Sequence, residues 1–274
     1  VLLVKAAVLG NPVSHSLSPV LHNSAYRSLG LDHTYSAIEV TESNFQSFIS
    51  SLDEEWLGVS LTMPLKEAAF QVATTIDALA SQTGAINTLV FDSGISGFNT
   101  DVAGIVDALT EKGISSAHLG TLFGSGATAR SALAAMSQLG ITQVHCVARN
   151  ELDVAVLIDL GKQIGIEVAH SQVNDSQWLE SDVVINTTPV GVLDEIAKDV
   201  WQPKGILLDV VYHPWPTQFA ASWLVCGGEV TSGLSMLLHQ AGHQVTLLTN
   251  EAAPIDDMRA GLNLELLARG LSTI

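Results

Sequence analysis

The stretch Leu119–Gly140, LGTLFGSGATARSALAAMSQLG, limits what this chain can fold into more than any other. Its first residues, Leu119 to Phe123, form an apolar run with the length of a buried strand. The chain then turns at Gly124-Ser125-Gly126 and enters an Ala/Leu-rich segment that Gly140 can close as the glycine past a helix end. Strand, glycine turn and helix in that order describe the phosphate-binding turn of a dinucleotide fold, where backbone N–H groups at a helix start face an anion. Gly124, Gly126 and Ala129 fit G-x-G-x-x-A, and Ala129 is small enough for the helix to lie close on the strand. The glycines alone fit a plain tight strand-to-helix turn equally well. Arg149 separates the two readings. A second apolar run, Val144 to Ala148, ends at Arg149-Asn150, about where an acidic residue would take a ribose 2′-hydroxyl. Arginine there suits a 2′-phosphate, so the expected cofactor is NADP.

The glycine turn sits mid-chain, so a substantial domain must precede it. The first hundred residues alternate between strand-like and helix-like patterns. Leu2–Leu9, Tyr35–Val40 and Trp56–Leu61 read as strands, and residues 42–52 as an amphipathic helix on the spacing of Phe45, Phe48, Ile49 and Leu52. Ser18-Pro19 offers an N-cap with proline at N1, and Pro64 a second helix start. Residues 86–99 read as two strands joined at Asp92-Ser93-Gly94, with Asp101 capping the next helix. From Leu119 strands are expected near 119–123, 143–148, 166–169, 183–186 and 205–210, which implies a mostly parallel, doubly wound sheet. After Glu229-Val230 the pattern is helical to the end. The expected organisation is an α/β domain over 1–103, completed by C-terminal helices over 234–274 that pack back on it, and a Rossmann-like domain over 104–233.

Composition narrows the function classes. Hydrophobic residues make up 47% and charged ones 14%, a buried-core composition. No apolar run approaches the roughly 18 residues of a membrane span, and the apolar start reads as a strand rather than a signal peptide. The 11 Lys+Arg against 28 Asp+Glu give a net charge of −17, which disfavours nucleic acid and anionic membranes as partners. A phosphorylated cofactor must then be held by local cations and oriented backbone dipoles, with Arg130 and Arg149 the candidates. Cys146 and Cys226 read as reduced thiols in a cytoplasmic protein. His239 and His243 are four apart, but Gln240 replaces the glutamate of a zinc-protease motif, so no metal is expected. The other histidines and the tryptophans read as packing or surface residues.

Three polar clusters sit at turns of the first domain. In His15-Ser16-Leu17-Ser18 an extended segment would aim both serine hydroxyls the same way, which suits a carboxylate held by neutral donors. Ser18 as a mere helix cap is the simpler reading. In Ser60–Lys66, SLTMPLK, proline at N1 places Lys66 in the first helical turn, where the macrodipole disfavours a cation. Such a setting suits a proton-transfer group, and a solvated surface lysine is the alternative. The third cluster is Asn99-Thr100-Asp101, echoed by Asn87-Thr88; antiparallel pairing is expected to put the two Asn-Thr pairs at opposite ends of their hairpin unless the chain bends. In the second domain, Asp209–Pro216 follows an apolar strand and can border a ligand, with Tyr212 its best hydroxyl.

Taken in order, GNPVSHSLSPVLHN (10–23), GVSLTMPLK (58–66), GAINTL (84–89), FNTD (98–101), GSGATAR (124–130), INTTPVG (185–191), DVVYHPWPT (209–217) and GLSMLLHQA (233–241) make the chain resemble the shikimate dehydrogenase family over essentially its whole length. The resemblance implies reversible oxidation of the shikimate 3-hydroxyl with NADP, in the pathway to aromatic amino acids. It implies that Ser16 and Ser18 hold the substrate carboxylate and that Lys66 and Asp101 flank the reacting hydroxyl. Thr62, Asn87 and Gln240 would bond ring hydroxyls, Ser60 would line the substrate site, and Tyr212 would lie near the substrate. Gly124, Ser125, Gly126 and Ala127 would take the pyrophosphate and Arg149 with Asn150 the adenosine phosphate; Thr187 and Gly233 would border the cofactor.

The sequence departs from the family pattern in three places. Ser60 stands where the family commonly has Asn, Ala127 where it often has another glycine, and Ala148-Arg149-Asn150 is followed by the acids Glu151 and Asp153. Two further readings stay open at this stage: a quinate/shikimate enzyme using NAD, and a non-catalytic sensor of the same fold. A sensor would need neither Lys66 nor Asp101. Monomer and homodimer are both compatible with the sequence.

Overall fold

The computed structural model describes residues 4–172 and 176–274, so Leu2 and Leu3 of the first expected strand lie outside the described residues. The chain divides into two compact units, one of residues 1–104 with 237–274 and one of residues 105–236. The first hundred residues contain β1 (Val4–Gly10), α1 (Ser18–Ser28), β2 (His33–Glu39), α2 (Glu42–Ser50), β3 (Trp56–Leu61), α3 (Leu65–Ala68), β4 (Thr75–Ile76), α4 (Ala78–Thr83), β5 (Thr88–Phe91) and β6 (Ile95–Phe98), and lead into α5 (Asp101–Glu111). The remainder contains β7 (Leu119–Phe123), α6 (Ala127–Gln138), β8 (Gln143–Val147), α7 (Glu151–Ile164), β9 (Glu167–His170), β10 (Val183–Asn186), β11 (Ile206–Asp209), α8 (Gln218–Val225), β12 (Glu229–Ser232), α9 (Gly233–Thr249) and α10 (Ile255–Ala268).

In the first unit six strands form a sheet in the order β2-β1-β3-β5-β6-β4. β1 pairs parallel with β2 and β3, whereas β5 runs antiparallel to β3 and β6. Its core gathers Phe45, Ile49, Leu65, Ile86 and Leu89, so the apolar spacing read over α2 faces that core. The C-terminal helix α10 lies on α1, where Gly261 comes so close to Ser24 that a Cβ would stand 2.1 Å from its hydroxyl oxygen.

In the second unit six parallel strands take the order β12-β11-β10-β7-β8-β9. Counted within the unit this is 3-2-1-4-5-6 read from the other edge, the doubly wound order with its reversal beside β7. β7 and β10 are buried almost throughout, as both faces of a parallel sheet require. Phe123, Trp178, Phe219 and Trp223 form an aromatic cluster with ring centroids 5.5–6.2 Å apart.

Several local expectations need correction. β4 and β12 have no counterpart in the sequence reading: the first is two exposed residues, the second an edge strand of four directly before a long helix. Ser18 is the first residue of α1 rather than its cap, and the Ser16 hydroxyl accepts the Ser18 N–H at 3.2 Å. Pro64 precedes α3, which is a single turn of four residues, too short to carry the macrodipole invoked for Lys66. Asp101 opens α5 but does not cap it: Asn99 Oδ1 accepts the N–H groups of Asp101 (3.0 Å) and Val102 (3.3 Å).

Candidate active site

Backbone hydrogen bonds at the ends of the first sheet's strands join the second polar cluster to the third and to the start of the loop that leads to the first. β1 and β3 run parallel, so both end on the same side. Gly10 lacks the Cβ that would stand 2.3 Å from Thr62 Cγ2, which lets the two turns that follow meet. Thr62 donates its N–H to the Leu9 carbonyl (2.9 Å), and Asn11 donates to that of Met63 (3.0 Å). The second turn is tied to the hairpin in the same way, Leu61 donating to Asn87 O (2.7 Å) and Ile86 to Lys66 O (2.9 Å). In the hairpin Thr88 faces Phe98, and Asn87 donates its N–H to Phe98 O at 3.0 Å. The two Asn-Thr pairs therefore share the open end of the hairpin, because its first strand begins where its second ends. Opposite ends, as the sequence reading had it, was wrong.

This framework places Lys66 Nζ 2.5 Å from Asp101 Oδ2, with side-chain exposures of 14% and 5%. Asn87 donates through Nδ2 to the other carboxylate oxygen, Oδ1, at 2.8 Å, and Gln240 Oε1 on α9 lies 3.4 Å from the same nitrogen. A cation and a carboxylate so near each other, each little exposed, form an ion pair at the ends of these strands.

The other expected substrate residues are placed as follows. Ser16 is half-buried and Ser18 buried, at the start of α1. Thr62 is half-buried in the turn beside them. Ser60 is buried in β3, and its hydroxyl shares a hydrogen bond with the Tyr35 phenol, so that shorter side chain is spent inside the unit. Asn87 is buried, its amide committed to Asp101 and to Thr100 Oγ1 (2.9 Å). Gln240 holds Leu237 O through Nε2 at 3.0 Å. Tyr212 belongs to the second unit, half-buried on the loop after β11. The sequence places Asn99 and Thr88 in a polar cluster without showing the part either plays, lets His22 read as a packing or surface residue, and gives Gln244 no signal. The part played by Asn99 could have been found, since it stands two residues before the helix start.

In the second unit Gly124 has φ +104°, and a Cβ there would stand 2.4 Å from Thr187 Oγ1. The Thr187 hydroxyl donates to Phe123 O at 2.8 Å, so it closes on the glycine turn and is held by the main chain. Gly126 is the N-cap of α6, with no described residue beyond its chain neighbours within 4 Å of a Cβ position, and Ala127 is the first helical residue. Ala129 is fully buried under the helix, as its small size predicts. The Ser125 hydroxyl lies 3.5 Å from Asp153 Oδ2. Arg149 is exposed just past β8, and Asn150 caps α7 by accepting the Leu152 N–H at 3.0 Å. Gly233 lies against the chain after β11, where a Cβ would stand 2.0 Å from Val210 O, so its role visible here is close packing. An open helix start, an unencumbered glycine and a nearby exposed arginine fit a dinucleotide carrying a 2′-phosphate.

Sheet order, glycine turn and a half-buried lysine–carboxylate pair together define a two-unit α/β protein of the dinucleotide-dependent oxidoreductase class. Residues 8–89 match the family model of the shikimate dehydrogenase substrate binding domain. A shikimate dehydrogenase (NADP(+)) of Prochlorococcus marinus is 34% identical over 261 residues, covering 89% of this chain and 91% of the other. The crystal structure of Mycobacterium tuberculosis shikimate dehydrogenase superposes with TM-score 0.88 at 39% identity, over 95% of this chain and 99% of that one. The Thermus thermophilus shikimate 5-dehydrogenase in complex with NADP(H) and shikimate gives TM-score 0.83 at 28% identity, over 96% and 99%. The chain belongs to the shikimate dehydrogenase family.

Proposed function

We propose that the protein is an NADP-dependent shikimate dehydrogenase, transferring hydride reversibly between the shikimate 3-hydroxyl carbon and NADP to give 3-dehydroshikimate, in the cytoplasmic route to chorismate. The observation that carries this reading is the Lys66–Asp101 pair at 2.5 Å, which a binding protein would not need. The glycine turn would hold NADP+, which would supply the hydride acceptor. In the oxidising direction the substrate hydroxyl proton passes to the Lys66–Asp101 pair. In the reducing direction the same pair returns it to the carbonyl oxygen. Asn87 holds the carboxylate so that its other oxygen faces the ammonium. Ser16 and Ser18 take the substrate carboxylate as neutral donors, and Thr62 and Gln240 bond ring hydroxyls. On this reading residues 1–103 with 234–274 are the substrate domain and residues 104–233 the cofactor domain. Gly124 to Ala127 hold the pyrophosphate, Arg149 the 2′-phosphate, and Asn150, Thr187 and Gly233 line the cofactor by shape.

The test follows absorbance at the reduced-nicotinamide band with shikimate or quinate, each against NADP+ and NAD+. The highest kcat/KM is expected for shikimate with NADP+. Binding of shikimate without any turnover would instead identify a sensor.

A further inference from the structure

Through Asn87 the Asp101 carboxylate is tied to Thr88, Gln244 and His22, buried polar groups to which the proposed reaction assigns no part. The Thr100 backbone N–H, which can only donate, points at Asn87 Oδ1 from 2.8 Å, so the Asn87 amide nitrogen must face Asp101. Thr88 Oγ1 lies 2.9 Å from that same Oδ1 and must therefore donate to it. With its proton spent, the Thr88 oxygen accepts Gln244 Nε2 at 3.1 Å, which turns Gln244 Oε1 toward His22 Nε2, also 3.1 Å away. His22 thus carries its proton on Nε2. Every link donates toward the carboxylate, an arrangement in which each hydrogen bond polarises the next.

The far end of this line is rigid. The His22 ring is fully buried and stacks on Tyr35 at 3.8 Å and 12°. Burial holds this imidazole neutral, its pKa lowered to about 3. Gln240 and Gln244 are four apart on α9, one turn, so both reach the Asn87-Thr88 dipeptide from the same helix face.

We propose that His22, Gln244 and Thr88 form a buried donor chain that fixes the Asp101 carboxylate through Asn87, making Thr88 and Gln244 positioning residues for proton transfer. The inference rests on the reading of Lys66 and Asp101 as the acid–base pair. It predicts an effect on turnover that is larger than any effect on substrate binding, because the chain ends on the carboxylate that flanks the reacting hydroxyl.

The experiment compares Thr88→Val, Thr88→Ser, Gln244→Met and the double variant Thr88→Val/Gln244→Met in the full chain. It measures kcat and KM for shikimate, with thermal melting as the folding control. Thr88→Val should lower kcat by about tenfold with KM within about twofold, and Thr88→Ser should restore kcat. Gln244→Met should lower kcat in the same way, and the double variant should be no worse than the worse single one, since both cut one chain. If Thr88→Val does not accumulate folded, Gln244→Met carries the comparison. Folded variants with wild-type kcat, losses that multiply, or a serine that fails to rescue would each overturn the proposal. So would failure of both Thr88→Val and Gln244→Met to fold, which would make the chain a folding element. A wild-type protein that does not turn over shikimate would instead overturn the reading of the site.

Discussion

Asn99 caps α5 in place of Asp101, its Oδ1 taking the Asp101 and Val102 N–H groups at 3.0 and 3.3 Å. An aspartate that begins a helix ordinarily folds back on the helix's own free N–H groups. Here the asparagine two residues earlier takes the first two N–H groups of the helix, and the carboxylate turns to Lys66 and Asn87 instead. The Asn99 amide is itself anchored, donating to Thr83 Oγ1 at 2.9 Å and Ala85 O at 3.0 Å.

Asn99→Ala removes the cap and both anchors. A loss of about 1–3 kcal/mol in unfolding free energy is expected, read from denaturant titration. Turnover of shikimate should fall as well, because the turn that carries Asp101 to Lys66 then loses its ties to Thr83 and Ala85. A variant as stable and as active as wild type would remove the cap from the account.

Cofactor preference should depend on two opposed charges. Arg149→Asp should weaken NADPH binding by at least tenfold and leave NADH binding nearly unchanged or tighter. Asp153 lies beside the glycine turn, its Oδ2 3.5 Å from Ser125 Oγ, where a carboxylate opposes any phosphate brought to that turn. Asp153→Asn should therefore tighten NADPH binding by a few-fold. Fluorescence titration with both reduced cofactors checks these directions.

The two glycines of the turn should fail differently on substitution. Gly124→Ala puts a Cβ 2.4 Å from Thr187 Oγ1 at φ +104°, so a loss of about 1–3 kcal/mol in stability is expected. Gly126→Ala meets open space, so its melting temperature should stay near that of wild type. The same methyl group obstructs the approach of a pyrophosphate to the start of α6, and NADPH binding should weaken. Equal melting temperatures for the two variants would contradict this division.

Buried His22 gives a pH dependence of known sign. Its pKa is lowered from the usual 6.5 to about 3, mainly by burial. Below pH 6.5 the unfolded chain binds a proton there that the folded chain does not, so stability is greatest above that pH. It should decline as pH falls toward 3, by up to about 1.4 kcal/mol per pH unit from this group. His22→Gln, though less stable at neutral pH, should show a shallower decline between pH 6 and 4 in denaturant titrations.

Much of the architecture was legible in local patterns. The strands at 119–123 and 183–186 stood out because a parallel sheet buries both faces and makes the whole run apolar. The pairing of Lys66 with Asp101 followed from the resemblance, and the structure brings the two into contact. What the sequence hid were relations between distant elements. The hairpin register that joins Asn87 to Thr100 is set by the short turn at residues 92–94, and a misjudged end reversed its consequence. β12 escaped notice because an edge strand of four residues carries too few positions for a period to show. His22 reads as a packing or surface residue, and Gln244 draws no notice, because their polarity is answered across 222 positions of chain.

The most direct test of the account is a single-turnover measurement of hydride transfer in Lys66→Ala, with shikimate affinity measured on the same protein by calorimetry. A rate lower by about a thousandfold or more is expected, with shikimate affinity changed by only a few-fold, as befits a group that acts in the transition state. Hydride transfer at the wild-type rate in a folded Lys66→Ala protein would contradict the assignment of proton transfer to the Lys66–Asp101 pair.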